Sequence, residues 1–291
     1  MKTLRNRILL RAFFLFVLLA IGCALFSYFS EPRYKGRPLS SWLREYDQNR
    51  WDQSEAAIAI RAIGTNAAPT LAKMVSAQPQ FSLGRLTQKL RPRFEILSSS
   101  EPMENHRLAM HGFRLLGPTA SNALPLLLKS FDDLRSQSTH YVFMAIEEIG
   151  EPALPALHRL LTSTNAETQR YAVISILTIK RDDLATVTNL LAHPAPGVRG
   201  ETYFWIHTRR HIPIENQLQI LLRGIDDPHT YAAQRAVIGL RGLSCYATNA
   251  LPRLYELQST TNARLAREIT TAVTRIEKHF HVSNSAPTRA R

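Results

Sequence analysis

The chain has 291 residues, 45% of them hydrophobic, with a formal net charge of +13. Its two cysteines, Cys23 and Cys245, are too few for a disulfide framework. The charge does not describe a nucleic-acid-binding surface either. Residues 1–50 carry nine Lys/Arg against three Asp/Glu, residues 224–291 nine against five, and residues 51–223 only 18 against 15. The excess therefore sits at the ends, and nucleic acid is not an expected partner, since no aligned basic track runs along the middle of the chain.

Lys2, Arg5, Arg7 and Arg11 make residues 1–11 a basic flank, and from Ala12 to Phe29 no residue is charged. Eighteen residues at about 1.5 Å each nearly cross a hydrocarbon core of about 30 Å, so 12–30 is predicted to be a transmembrane anchor. Two alternatives stand beside it. A cleaved signal would have a shorter apolar core with a small-residue cleavage site. A lipoprotein would use Ala20-Ile21-Gly22-Cys23 as a lipobox with the lipid on Cys23, although the apolar run continues beyond it. Arg33, Lys35, Arg37 and Arg44 on the far side match the near-side charges. The short N-terminal tail crosses poorly when charged, which places the N-terminus inside and the remainder outside the cytoplasm.

Residues 31–51 read as a connector and N-terminal cap, with a helix from Leu39 to Tyr46 whose apolar contacts are Trp42 and Leu43; Trp42 is assigned to covering the open end of the first repeat. From 52 to 258 one pattern recurs: a helix, a tight turn, a second helix. It is clearest from Asn105 to Ser163. Ala109, Gly112, Phe113 and Leu116, then Val142, Ala145, Ile146 and Ile149, form stripes at i, i+3, i+4 and i+7. Gly117 and Gly150 fall where a helix end needs a left-handed residue, and Pro152 and Pro155 fall in the first turn of the next helix, where no intrahelical N–H bond is lost.

The first repeat, 52–77, has Ala56, Ala59, Ile60 and Ile63 on its stripe, Gly64 at the turn, and Pro69 opening the second helix. An insertion at 78–104 interrupts the period and carries Arg85, Lys89, Arg91 and Arg93, the dense basic patch of the array and its candidate partner contact. The fourth repeat, 165–191, replaces the turn glycine by Lys180-Arg181-Asp182-Asp183. The fifth, 196–222, has Trp205, His207, Arg209, Arg210 and His211 where an apolar helix end is expected. The sixth, 227–257, returns to type: Leu243 to Pro252 aligns without gaps on Leu116 to Pro125. Residues 259–281 are predicted to be a capping helix with Ile269, Ala272, Val273 and Ile276 inward, and 282–291 a disordered tail. Helix pairs this short cannot bury a stripe alone and must stack, so the expected fold is an all-α solenoid.

On these residues the chain resembles the HEAT-repeat superfamily over about 52–280, in the short, phycocyanobilin-lyase-type form of about 30 residues rather than the longer one of about 40 to 47. The anchor with Tyr34-Lys35-Gly36-Arg37-Pro38-Leu39-Ser40-Ser41-Trp42-Leu43 is similar to the opening of uncharacterised bacterial single-pass HEAT-repeat membrane proteins. The resemblance implies a right-handed, armadillo-like superhelix, protein binding as the usual role, and location at the bacterial inner membrane. It carries over no catalytic residue and no cofactor, because the motif consists of packing positions.

His207 and His211, at i and i+4, would present two imidazoles on one helix face, but no third ligand follows at motif spacing and no metal is assigned. Asp132-Asp133, Glu147-Glu148, Asp182-Asp183 and Asp226-Asp227 read as helix caps and solvated corners. No nucleophile, phosphate-loop or dinucleotide motif is present. A membrane-tethered, non-catalytic scaffold with a protein partner is the expected function. An enzyme on the same scaffold, bilin-lyase-like or a HEAT-like DNA glycosylase, and a binder of nucleic acid or anionic surfaces are the alternatives.

Overall fold

The computed structural model describes residues 31–76, 102–129, 136–181, 183–259 and 263–285. The flank, the anchor with Cys23, the patch Arg85, Lys89, Arg91 and Arg93, the pair Asp132-Asp133 and residues 286–291 lie outside the described residues. Contacts divide the chain into two compact units, Met1–Pro152 and Ala153–Arg291.

The first unit opens with an element that periodicity does not announce. Strands β1 (Arg33–Tyr34) and β2 (Arg37–Pro38) pair antiparallel, Arg33 opposite Pro38 and Tyr34 opposite Arg37. Lys35 and Gly36 between them both have positive φ, 49° and 76°, as a two-residue type I′ turn requires. Every other described element is an α- or 3-10 helix. Helices α1 (Leu39–Asn49), α2 (Glu55–Ile63), α3 (Ala68–Ser76), α4 (Pro102–Leu116), α5 (Leu124–Lys129) and α6 (Ser136–Ile149) come next. Ser54 caps α2 by accepting from the Ala57 N–H. α3 packs on α4, α4 on α6, and α1 closes the end by packing on both α2 and α4. Each predicted stripe of this unit is buried. α4 begins at Pro102, inside the expected insertion, so the array resumes slightly before the boundary drawn from sequence.

The second unit comprises α7 (Leu154–Leu160), α8 (Ala166–Ile179), α9 (Leu184–Leu191), α10 (Pro196–Ile206), α11 (Ile214–Ile225), α12 (Thr230–Leu243), α13 (Leu251–Leu257) and α14 (Ala263–Ser285). Two rows run through it. α8, α10, α12 and α14 each pack on the next, while α7, α9, α11 and α13 each pack on the first helix of the following pair. This nearest-neighbour order is what stacked helix pairs produce. The packing is close because small residues sit at the crossings: a Cβ on Gly239 would lie 2.9 Å from the Tyr203 carbonyl and 2.6 Å from Leu221. α14 continues to Ser285, so 282–285 are helical rather than part of a disordered tail.

The sequence match at an offset of 127 residues corresponds to matched geometry. Gly117–Ala123 and Ser244–Ala250 are both seven-residue 3-10 helices, and each leads into a helix with proline at its second position. Gly64, Gly117 and Gly150 all have positive φ, and Ser244 takes the same role at φ 51°, ψ −119°. That region suits glycine and strains any L-residue by about 1–3 kcal/mol. A Cβ on Gly64 meets nothing within 4 Å. Gly64→Ala should therefore destabilise by about 1–2 kcal/mol through backbone strain alone, and Ser244→Gly should stabilise by about 1 kcal/mol. Urea midpoints of the two variants moving in the same direction would contradict this. In the glycine-free fourth repeat Arg181 supplies the left-handed turn, φ 49°, and Asp183 caps α9 by accepting from Thr186 N–H and Oγ1–H.

Candidate functional site

Three polar assemblies stand out, each built around side chains of a helix. In the first unit Asp47, near the end of α1, faces α4. Its carboxylate accepts from Arg107 and, at 3.0 Å, from His111 Nε2, while Arg50 lies at 3.3 Å. Burial would raise Asp47, but His111 and the arginines outweigh it and hold the carboxyl below its ordinary range. Burial pushes His111 down despite Asp47, so the imidazole is a neutral hydrogen-bond donor near pH 7 rather than half of an ion pair.

This geometry makes stability depend on pH. His111 has a folded pKa below its unfolded value of about 6.5, so its contribution is complete above the unfolded value and is lost as pH falls from there through the folded one. Urea unfolding of the full chain in detergent should show stability declining from pH 7 toward pH 5, and His111→Gln, which keeps a donor toward Asp47, should flatten that limb. An unchanged slope in the variant would remove His111 as its source.

In the second unit Glu201 is 5% exposed on α10 and accepts from Tyr231 Oη–H at 2.7 Å and Arg235 Nη2 at 2.8 Å, both on α12. The Arg235 guanidinium lies 3.6 Å from the centroid of the Phe204 ring. Burial, reinforced by the bond to Glu201, pushes Tyr231 up to about 12, which keeps it a phenol donor. The third assembly is a device repeated at the fourth residue of three helices, α8, α10 and α11. Gln169 Nε2 donates to the Leu161 and Ser163 carbonyls, Gln217 Nε2 to those of Arg209 and Ile212, and Arg199 Nη1 to those of His193 and Pro194. Each side chain folds back and satisfies the loop that enters its own helix. Arg199 reaches further, making a two-pronged pair with Asp227 at 2.8 and 2.9 Å, which ties the loop before α10 to the loop before α12.

The sequence readings of these residues need two corrections. His207 and His211 do not share a helix face, because α10 ends at Ile206 and His211 lies in the turn beyond. His207 Nδ1 is 2.5 Å from the Phe204 carbonyl and its ring packs against Gly242. Asp227 is not a solvated corner: its side chain is 3% exposed and paired with Arg199. Among the described residues no three His, Cys, Asp or Glu gather as a metal site. In all three assemblies the charged groups are engaged by a neighbouring helix or loop, an arrangement suited to holding repeats in register.

Several large apolar side chains stand at the surface. Trp51, Ile58, Met103 and Leu126 are exposed in the first unit, and Leu184, Tyr246 and Tyr255 in the second.

The helix pairing defines an all-α repeat protein, and it fits a HEAT- or armadillo-like fold. No family model matches the sequence, and no curated protein matches it. Among solved structures, a designed armadillo repeat protein in complex with the peptide (KR)4 is 19% identical, covering 72% of this chain and 99% of that one, with a TM-score of 0.37. An engineered protein from a structural-genomics consortium is 13% identical over 83% of this chain and 97% of its own, with a TM-score of 0.31. The fold assignment rests on the packing within each unit.

Proposed function

We propose that the protein is a membrane-tethered, non-catalytic interaction scaffold: a solenoid of short HEAT-like repeats held at a bacterial inner membrane by residues 12–30, outside the cytoplasm, and binding another protein. The observation that carries this reading is how the polar groups are used. Asp47, Glu201 and Asp227 each bind cations of a neighbouring helix or loop, while Trp51, Ile58, Met103 and Leu126 in the first unit and Leu184, Tyr246 and Tyr255 in the second stand exposed. That division is what a binding surface on a rigid support needs. The tether is supported by the charge-free run from Ala12 to Phe29, whose 18 residues nearly match the thickness of a hydrocarbon core.

The full chain should fractionate with membranes and resist extraction by carbonate, and a phosphatase fused after Arg291 should be active outside the cytoplasm. Deleting residues 1–30 should release it to the soluble fraction. A truncated chain that still sediments with bilayers would defeat the tether. The binding role is tested separately, by whether a defined protein co-purifies from solubilised membranes in fixed ratio with the full chain.

A further inference from the structure

The helix that ends the second unit, α14, carries a one-signed outer face. Ile269, Ala272, Val273 and Ile276 are buried against its neighbours. Its two acids are turned aside: Glu268 pairs with Arg241 of α12 at 2.9 Å, and Glu277 accepts from Tyr255 Oη–H of α13. On a helix turning 100° per residue, Arg264, Arg267, Thr271, Arg275 and Lys278 fall within an arc of about 80°, roughly opposite the buried stripe. All of them are exposed. At about 1.5 Å per residue the stripe is about 21 Å long, with a cation pair at each end and a cation-free gap of about 12 Å between the pairs.

Thr271 lies in the gap, with Thr274 about 20° and Thr270 about 60° beyond the edge of the arc. Thr270, Thr271 and Thr274 donate their hydroxyls to the carbonyls of Ala266, Arg267 and Thr270, four residues back, at 2.8–2.9 Å. With the hydroxyls so engaged, what they present is short and methyl-bearing. Three β-branched residues on an outward face cost helix propensity that Lys, Glu or Ala would not. They border an open depression of about 590 Å³ that Arg275, Lys278 and His279 complete.

We propose that this face docks an acidic helix of a partner protein, a reading that rests on the scaffold function above and names its partner's chemistry. Short side chains at the centre let a second helix approach to the usual 8–10 Å, and the end pairs meet carboxylates at i, i+3, i+11 and i+14. A nucleic-acid backbone fits less well, since its evenly spaced phosphates would cross the uncharged centre. A bilayer fits less well too, since the face has no Trp, Phe or Leu to enter the headgroup boundary.

The test uses the full chain in detergent micelles and two helical 18-residue peptides of identical composition, one with Glu at i, i+3, i+11 and i+14 and one with the same Glu residues distributed around the helix. The first should bind at least tenfold tighter, with affinity falling as salt rises. The variant Arg267→Glu/Arg275→Glu/Lys278→Glu should lose that preference with its melting temperature unchanged, whereas Arg159→Glu/Arg223→Glu, also exposed, should keep it. Equal binding of the two peptides, or tighter binding of single-stranded DNA or phosphatidylserine vesicles than of the matched peptide through the same three residues, would overturn the proposal. A triple variant that still co-purifies the native partner in the same ratio would remove the docking face and leave the scaffold standing.

Discussion

Trp42→Ala should be among the most damaging single substitutions in the first unit, costing about 3–5 kcal/mol, the range for truncating a buried aromatic. Trp42 is 2% exposed on α1 and is held on three sides. Its Nε1–H donates to the Tyr34 carbonyl at 3.3 Å, the Tyr34 ring meets its edge at 6.3 Å, and the Arg37 guanidinium lies over its face at 3.7 Å. The residue thus fastens the hairpin to α1, and α1 covers the open end of the first helix pair through α2 and α4. In a repeat array a terminal interface has no second neighbour to share its loss. Hydrogen exchange should accelerate across residues 33–63 while α10 and α12 keep their protection. Trp42→Phe, which retains most of the ring and loses the donor, should cost less than half as much. A cost below about 1 kcal/mol for the alanine variant would mean that α1 is not a cap.

How far the sequence reaches depends on the range of the interaction that fixes each feature. The repeat turns were legible because glycine, proline and an i, i+3, i+4 stripe act within a few residues: Gly64, Gly117 and Gly150 adopt the expected positive φ, and the stripes around Ile60, Phe113 and Ile146 are buried. The hairpin left little trace: Gly36 suits a left-handed turn position, but Lys35 is not a residue that favours positive φ, and two-residue strands show no alternation to draw attention to them. His207 and His211 misled because periodicity continues on paper after α10 has stopped at Ile206. The first two polar assemblies were not legible at all. Asp47 meets Arg107 and His111 across 60 and 64 residues, and Glu201 meets Tyr231 across 30. The fold-back of Gln169, Arg199 and Gln217 does leave a trace, a long polar side chain at the fourth residue of three helices, which becomes visible once the helix starts are known. Arg85, Lys89, Arg91 and Arg93 lie outside the described residues, so the contact expected there stands on charge alone.

Asp227→Ala should cost the second unit about 3–5 kcal/mol near pH 7, because it leaves the Arg199 guanidinium without its counter-charge at a site where little water reaches it. The side chains of Arg199 and Asp227 are 14% and 3% exposed, so solvent screening gives little relief. The loss is also topological: Asp227 accepts from the His229 N–H at the start of α12, and Arg199 holds the His193 and Pro194 carbonyls at the start of α10. Breaking the pair frees the loops before α10 and α12 from one another. Burial alone would raise Asp227, but the bonds from Arg199 and His229 outweigh it and hold its carboxyl below the ordinary value of about 3.9. A depressed carboxylate contributes stability that is fully present above its unfolded pKa and disappears as pH falls through the folded one. The gap between wild type and Asp227→Ala should therefore be constant from pH 8 to about pH 5 and narrow below about pH 4. The double variant Arg199→Met/Asp227→Val, which removes both charges and stays close to their combined volume, should recover at least half of the loss, since an apolar pair of similar size replaces most of what a buried ion pair supplies. If instead the double variant were as unstable as Asp227→Ala, the cost would lie in the loop hydrogen bonds and not in the unpaired charge.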